Sequence, residues 1–142
     1  MSKFKIAALL PIALLAACAD AQTKPSPPNL LKTEWLLEDL AGRGVLDRAQ
    51  ATLAFPEAGK VAGNSTCNRF FGSVDIRGDN IHFGQMGSTR MACMGSALAN
   101  QDLNYLDALR NAERFSQEGP YLLIYSKGRQ QPLRFTQIQP KR

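Results

Sequence analysis

Five side chains that offer soft or titratable ligand atoms fall within thirteen residues: His82, Met86, Met91, Cys93 and Met94. Thioether, thiolate and imidazole donors together suit Cu(I), so the run is a candidate copper or redox site. Methionine also fills irregular cores with no metal present, and a Cys93 held in a disulfide has no thiolate to give. His82 is the only histidine in the chain. A Ser-His-Asp or Cys-His mechanism would have to use it. It alternates with Ile81 and Phe83, a pattern that turns it toward solvent or a neighbouring strand. Ser65, in Gly63-Asn64-Ser65-Thr66, lies outside any Gly-x-Ser-x-Gly elbow, and Gly59-Lys60 lacks the rest of a phosphate-binding loop. No two cysteines have the spacing of a zinc ribbon or finger. These residues argue against an enzyme and keep periplasmic copper or redox sensing as the alternative reading; no cofactor or metal is expected otherwise.

Of the three cysteines, Cys18 has a different setting. Lys3 and Lys5 precede an apolar run from Ile6 to Leu15, and Leu15-Ala16-Ala17 then leads into Cys18. About ten apolar residues are half of the ~20 needed to span a bilayer, so the run reads as a signal segment. The stretch resembles the lipobox of bacterial lipoproteins. That resemblance implies cleavage before Cys18 and acylation of its sulfur and new amine. With Ala19 next and Asp20 one place later, it implies sorting to the outer membrane with the domain in the periplasm. The expected division is a signal peptide over 1–17, a lipidated Pro-rich tether over 18–32 and one domain over 33–142. Pro25, Pro27 and Pro28 stiffen the tether, whose reach is up to ~40 Å. In an exported chain, Cys67 and Cys93 are a disulfide candidate; in the cytosol they would read as free thiols or ligands. The formal charge of +5 falls to +3 once Lys3 and Lys5 leave with the signal. The basic residues are scattered rather than striped, which argues against a nucleic-acid partner.

The elements that must position these residues are mostly short strands. Trp35–Leu40, Ala51–Phe55, Lys60–Ala62, Gly72–Ile76, Asn80–Phe83, Tyr121–Tyr125 and Leu133–Ile138 carry β-like patterns punctuated by glycine and proline. From Ser96 to Ala112 the period changes. Leu98, Tyr105, Leu106 and Leu109 form the buried stripe of a helix, with Leu103 off it and Ser96 or Asn100 as a side-chain cap. About eight strands and one helix, without repeats, predict a sandwich or barrel.

Two stretches carry a family resemblance. Gly63-Asn64-Ser65-Thr66-Cys67-Asn68-Arg69-Phe70-x-Gly72 and Ser88-Thr89-Arg90-Met91-Ala92-Cys93 resemble the META domain family of bacterial envelope proteins, whose prototype is a heat-shock lipoprotein. Trp35-x-Leu37, the helix after Cys93 and the closing strands fit as well, so the resemblance covers about residues 30–138. The family pattern often has a second glycine just before the first cysteine; here Ser65-Thr66 stands there. The resemblance implies a mainly β, antiparallel, half-open barrel-like domain with one packed α-helix, and envelope location with a link to heat or antibiotic stress. It implies no established enzyme activity or ligand. The two motifs read as a structural cross-brace, in which Asn68 bonds its own backbone to hold a turn and Arg69 and Arg90 satisfy carbonyls or carboxylates such as Asp75 or Asp79. The sharper reading is an anion or lipid-head site built from Asn68, Arg69, Thr89 and Arg90. The function expected is a non-enzymatic, monomeric lipoprotein, held to the membrane by its N-terminal anchor, that supports envelope integrity by binding a partner protein, an envelope component or an apolar ligand in the open barrel.

Overall fold

The computed structural model describes residues 28–139. Cys18 and the expected tether as far as Pro27 lie outside the described residues. The elements are β1 (Glu34–Leu40), β2 (Thr52–Ala54), β3 (Lys60–Asn64), β4 (Arg69–Arg77), β5 (Asn80–Ser88), α1 (Ser96–Arg110), β6 (Ala112–Glu118), β7 (Tyr121–Ser126) and β8 (Leu133–Gln137). Each strand pairs antiparallel with the next, and β8 returns to pair with β1 from Trp35↔Gln137 to Leu40↔Leu133. The antiparallel, one-helix barrel predicted from sequence is present. Its ring is closed rather than half open, because that eighth seam forms.

Eight strands enclose an interior just wide enough for side chains to fill. Trp35, Leu53, Val61, Phe70, Ile81, Phe115, Leu122, Ile124, Leu133 and Phe135 fill it and are almost fully buried. The lumen is therefore a packed core with no room for the apolar ligand expected there. Leu30 belongs to the same core, and Lys32 N–H donates to the Phe55 carbonyl at 2.8 Å. The folded body thus begins a few residues before the boundary expected at 33.

The sequence pattern carries the helix to Ala112 and shows no strand after it, whereas α1 ends at Arg110 and β6 begins at Ala112. Only Ala112 and Phe115 of this strand are buried, three residues apart, because the pairing with β7 shifts between Ala112 and Arg114. One inserted residue erases the alternation that identifies a strand. The same device spaces Leu37 and Leu40 in β1, where the register with β8 shifts between Leu37 and Asp39. At Arg77↔Asn80 the two-residue loop Gly78-Asp79 turns β4 into β5, with Gly78 at φ +62 as a tight hairpin requires.

Helix α1 closes one end of the barrel. Ala97, Leu98, Ala99, Gln101, Leu103, Leu106 and Ala108 favour it intrinsically, and tertiary packing fixes it. Tyr105, Leu106, Ala108 and Leu109 are buried, Leu98 is half-buried and Leu103 faces solvent. Tyr105 plugs the opening: its ring meets Phe70 edge-on at 6.0 Å and Phe135 at 6.2 Å, and its hydroxyl donates to the Thr52 carbonyl at 3.0 Å. Ser126 Oγ donates to the Ala108 carbonyl at 2.8 Å and ties β7 to the helix. The cap differs from the prediction. Gly95 occupies the N-cap position at φ +99, and neither Ser96 nor Asn100 provides a side-chain cap.

Candidate functional site

The two motifs meet at the capped end of the barrel. Strand β3 approaches the turn to β4 through Gly63, where an added Cβ would overlap the Thr52 carbonyl oxygen and lie 2.8 Å from Phe70 Cζ. Only a residue without a side chain lets β3 approach β2 there. Ser65 N–H then donates to the Asn68 carbonyl at 2.8 Å and closes the turn.

Asp102 of α1, 5% exposed, sits under this turn. Its Oδ1 accepts from Ser65 Oγ at 2.7 Å, Cys67 N–H at 3.0 Å and Asn68 N–H at 3.2 Å; its Oδ2 accepts from Asn68 Nδ2 at 3.2 Å. A buried carboxyl group is tolerable only when so many donors replace water, and among the described residues no cation pairs with it. Asn68 carries the connection outward. Its Oδ1 accepts from Met91 N–H at 2.7 Å and Thr89 Oγ1 at 2.9 Å, and its Nδ2 reaches the Met91 carbonyl at 3.4 Å. The amide thus uses its full capacity of two donated and two accepted bonds. It does not bond its own backbone, as the sequence suggested; it joins three separate segments.

Cys67 and Cys93 are bonded, S–S 2.04 Å, with Cα atoms 5.5 Å apart. The disulfide locks the β3–β4 turn to the segment after β5, and Asn68 fastens the same two segments by hydrogen bonds. Gln101, one residue before the hub carboxylate, reaches the other way. Its Oε1 accepts from Leu46 N–H at 2.8 Å, and its Nε2 donates to the Ala49 carbonyl at 3.0 Å and to Thr66 Oγ1 at 2.8 Å. Thr66 has φ +123. A β-branched residue is strained there, at a cost of about 1–3 kcal/mol. The Gln101 bond offsets part of that strain.

Of the four residues expected to make an anion site, Asn68 and Thr89 are spent on the brace. Arg69 and Arg90 are exposed and make no ion pair or side-chain hydrogen bond among the described residues. They satisfy neither Asp75, which pairs with Arg77 at 2.9 Å, nor the brace carbonyls. Asp102 and Gln101 escaped the sequence reading. Their signal was positional: Asp102 lies four residues after Leu98 and three before Tyr105, inside the apolar stripe.

The metal-binding chemistry does not assemble. Cys67 Sγ, Cys93 Sγ and an Asp102 oxygen lie within 4.8 Å of one another, yet the sulfurs are oxidised and Oδ1 already accepts three hydrogen bonds. His82 is exposed on β5 opposite Asp75, six residues from Ser88. Six extended residues span about 20 Å, which separates it from the Met91–Met94 segment. Met86 packs on the core, while Met91 and Met94 are exposed. Burial alone pushes the Tyr105 phenol well above the ordinary tyrosine range.

A closed antiparallel barrel, plugged by one helix and pinned at that end by a disulfide and a fully bonded buried carboxylate, defines a small braced β-barrel domain. A META domain model matches residues 28–139, and the chain belongs to that family. No curated protein matches it significantly. Two solved structures share the fold: an NMR structure of a protein from Burkholderia xenovorans, 25% identical over 82% of this chain and 93% of that one with TM-score 0.62, and a second NMR structure, 23% identical over 74% and 88% with TM-score 0.60.

Proposed function

We propose that this META domain protein is a non-enzymatic, lipid-anchored component of the bacterial outer membrane. Cys18 carries the anchor, and the domain supports envelope integrity under heat or antibiotic stress by binding a partner protein or envelope component. The observation that carries the reading is the saturated brace. Ser65, Asn68, Gln101 and Asp102 spend their polar groups on one another and on backbone, so the motif residues build a rigid surface rather than a reactive pocket. The disulfide supports an oxidising compartment. The filled lumen supports recognition on the outer surface.

Two measurements test this. The intact mass of the mature chain purified from membranes should match cleavage before Cys18 plus acyl chains, and Cys18→Ala should abolish both processing and outer-membrane partition. Crosslinking in intact envelopes, with and without heat challenge, should capture a specific envelope component. An unmodified mass, or partition unchanged by Cys18→Ala, refutes the anchor; a deletion strain with normal envelope permeability under stress refutes the role.

A further inference from the structure

The segment after β5 combines two exposed methionines with a local lack of acidic residues. From Asn80 to Gln101 there is no acidic residue. Within it Met94 is 90% exposed and Met91 64% exposed. Arg90 adjoins Met91, and Arg69 stands beside Thr89, joined by the Arg69 N–H to Thr89 Oγ1 bond at 3.1 Å and the Thr89 N–H to Arg69 carbonyl bond at 2.9 Å. Two arginines whose guanidiniums have no partner among the described residues thus share this exposed region with two exposed methionines. From Ser88 to Ala97 every residue except the half-buried Cys93 is exposed. This is a projecting tip, and the Cys67–Cys93 bond and the Asn68 side chain hold its base rigid.

We propose that the Thr89–Gly95 tip, with Arg69 beside it, docks on an anionic lipid surface. The two arginines meet lipid phosphates, and Met91 and Met94 dip into the boundary between headgroups and acyl chains. Charge complementarity selects this occupant: the tip offers cations and flexible apolar groups and no acid, and a projecting knob suits a yielding surface. Guanidiniums bind phosphate in bidentate fashion, and interfacial binding scales with buried apolar area plus attraction to anionic headgroups. The inference deepens the reading of an envelope binding module by naming its surface and partner, and its test does not need the Cys18 anchor.

The test uses the oxidised chain from Ala19 to Arg142, which contains every strand and every buried core residue found among the described residues. It is co-sedimented at millimolar lipid with vesicles of phosphatidylcholine alone or with one-third phosphatidylglycerol. Binding to the anionic vesicles alone is expected, falling steeply at 0.5 M salt. Each arginine contributes about fivefold, so Arg69→Gln/Arg90→Gln should weaken partition about 25-fold. Lys60→Gln/Arg77→Gln, with the same charge change at the far ends of β3 and β4, should leave a quarter or more of the affinity. Peroxide oxidation of Met91 and Met94, read by mass spectrometry, should slow several-fold on anionic vesicles and only there. Equal binding to neutral vesicles, equal loss in both double variants, or unprotected methionines would overturn the proposal. So would retention on polyglutamate without vesicle binding, which would assign the tip to an acidic protein.

Discussion

Replacing Asp102 by alanine should be among the most damaging single changes to this domain. Truncation removes the acceptor for four donors. Ser65 Oγ retains the Asn68 carbonyl at 3.1 Å, but Cys67 N–H, Asn68 N–H and Asn68 Nδ2 lose a buried partner. An orphaned buried donor costs about 1–3 kcal/mol. Three of them, eased by whatever water enters the vacated space, give a loss of about 3–5 kcal/mol. That is a large share of the ~5–15 kcal/mol that holds a domain together. Asp102→Asn keeps the shape and can still turn an oxygen toward the two backbone N–H groups. Its amide nitrogen then faces Asn68 Nδ2, donor against donor, so the expected loss is smaller, about 1–3 kcal/mol. Urea unfolding followed by circular dichroism without reductant reads both. With a slope of about 2 kcal/mol/M, the alanine variant's midpoint should fall by about 2 M and the asparagine variant's by about 1 M. An alanine variant within 0.5 M of the parent, with the disulfide confirmed by mass, would refute the claim that the carboxylate organises the turn.

Reducing the Cys67–Cys93 bond opens a loop of 26 residue steps, and the chain-entropy model gives a loss of about 3.5 kcal/mol; unfolding in parallel with and without reductant checks it, and alkylation of two thiols in unreduced protein would refute the bond. Thr66→Gly and Thr66→Val both strip Gln101 Nε2 of a partner, but only glycine relieves the strain at φ +123, so the valine variant should be the less stable of the two by about 1–3 kcal/mol in the same assay. Leu109→Ala empties a fully buried site and should cost about 2–5 kcal/mol, lowering the melting temperature by about ten degrees or more. Burial raises the folded-state pKa of Tyr105, so folding favours its neutral form; that contribution is complete below about pH 10, where an unfolded tyrosine titrates, and is lost as pH rises beyond it. Thermal melts from pH 8 to 11.5 should show a steeper alkaline decline in the parent than in Tyr105→Phe.

Strands with intact alternation, such as Trp35–Leu37 and Leu133–Phe135, were readable because one face is core and the other solvent. Strand β6 was not, because its bulge spaces the buried residues at three, as a helix would. The disulfide was readable from cysteine number once export was inferred. The partners of Asn68 were not, because they depend on which strands lie beside the turn. Asp102 shows the boundary most clearly. A carboxylate inside an apolar stripe signals a buried role, but its donors come from residues 34 to 37 positions away in the chain, and only the closed ring brings them there.

That ring also determines where its two ends lie. Residues Glu34 and Ile138 share a backbone hydrogen bond of 2.8 Å beside the β1–β8 seam, so the polypeptide enters and leaves the barrel at one point. Every other seam joins neighbours in sequence; this one alone spans about a hundred residues. Its closure carries the largest loop entropy of the fold, which makes it the natural last step of assembly. A short Gly/Ser linker across that point, with a new break in the β7–β8 hairpin at Lys127-Gly128-Arg129, would turn the slow long-range seam into a hairpin. The same packed interior should then form by a different sequence of events, with the closing step moved to the other side of β8.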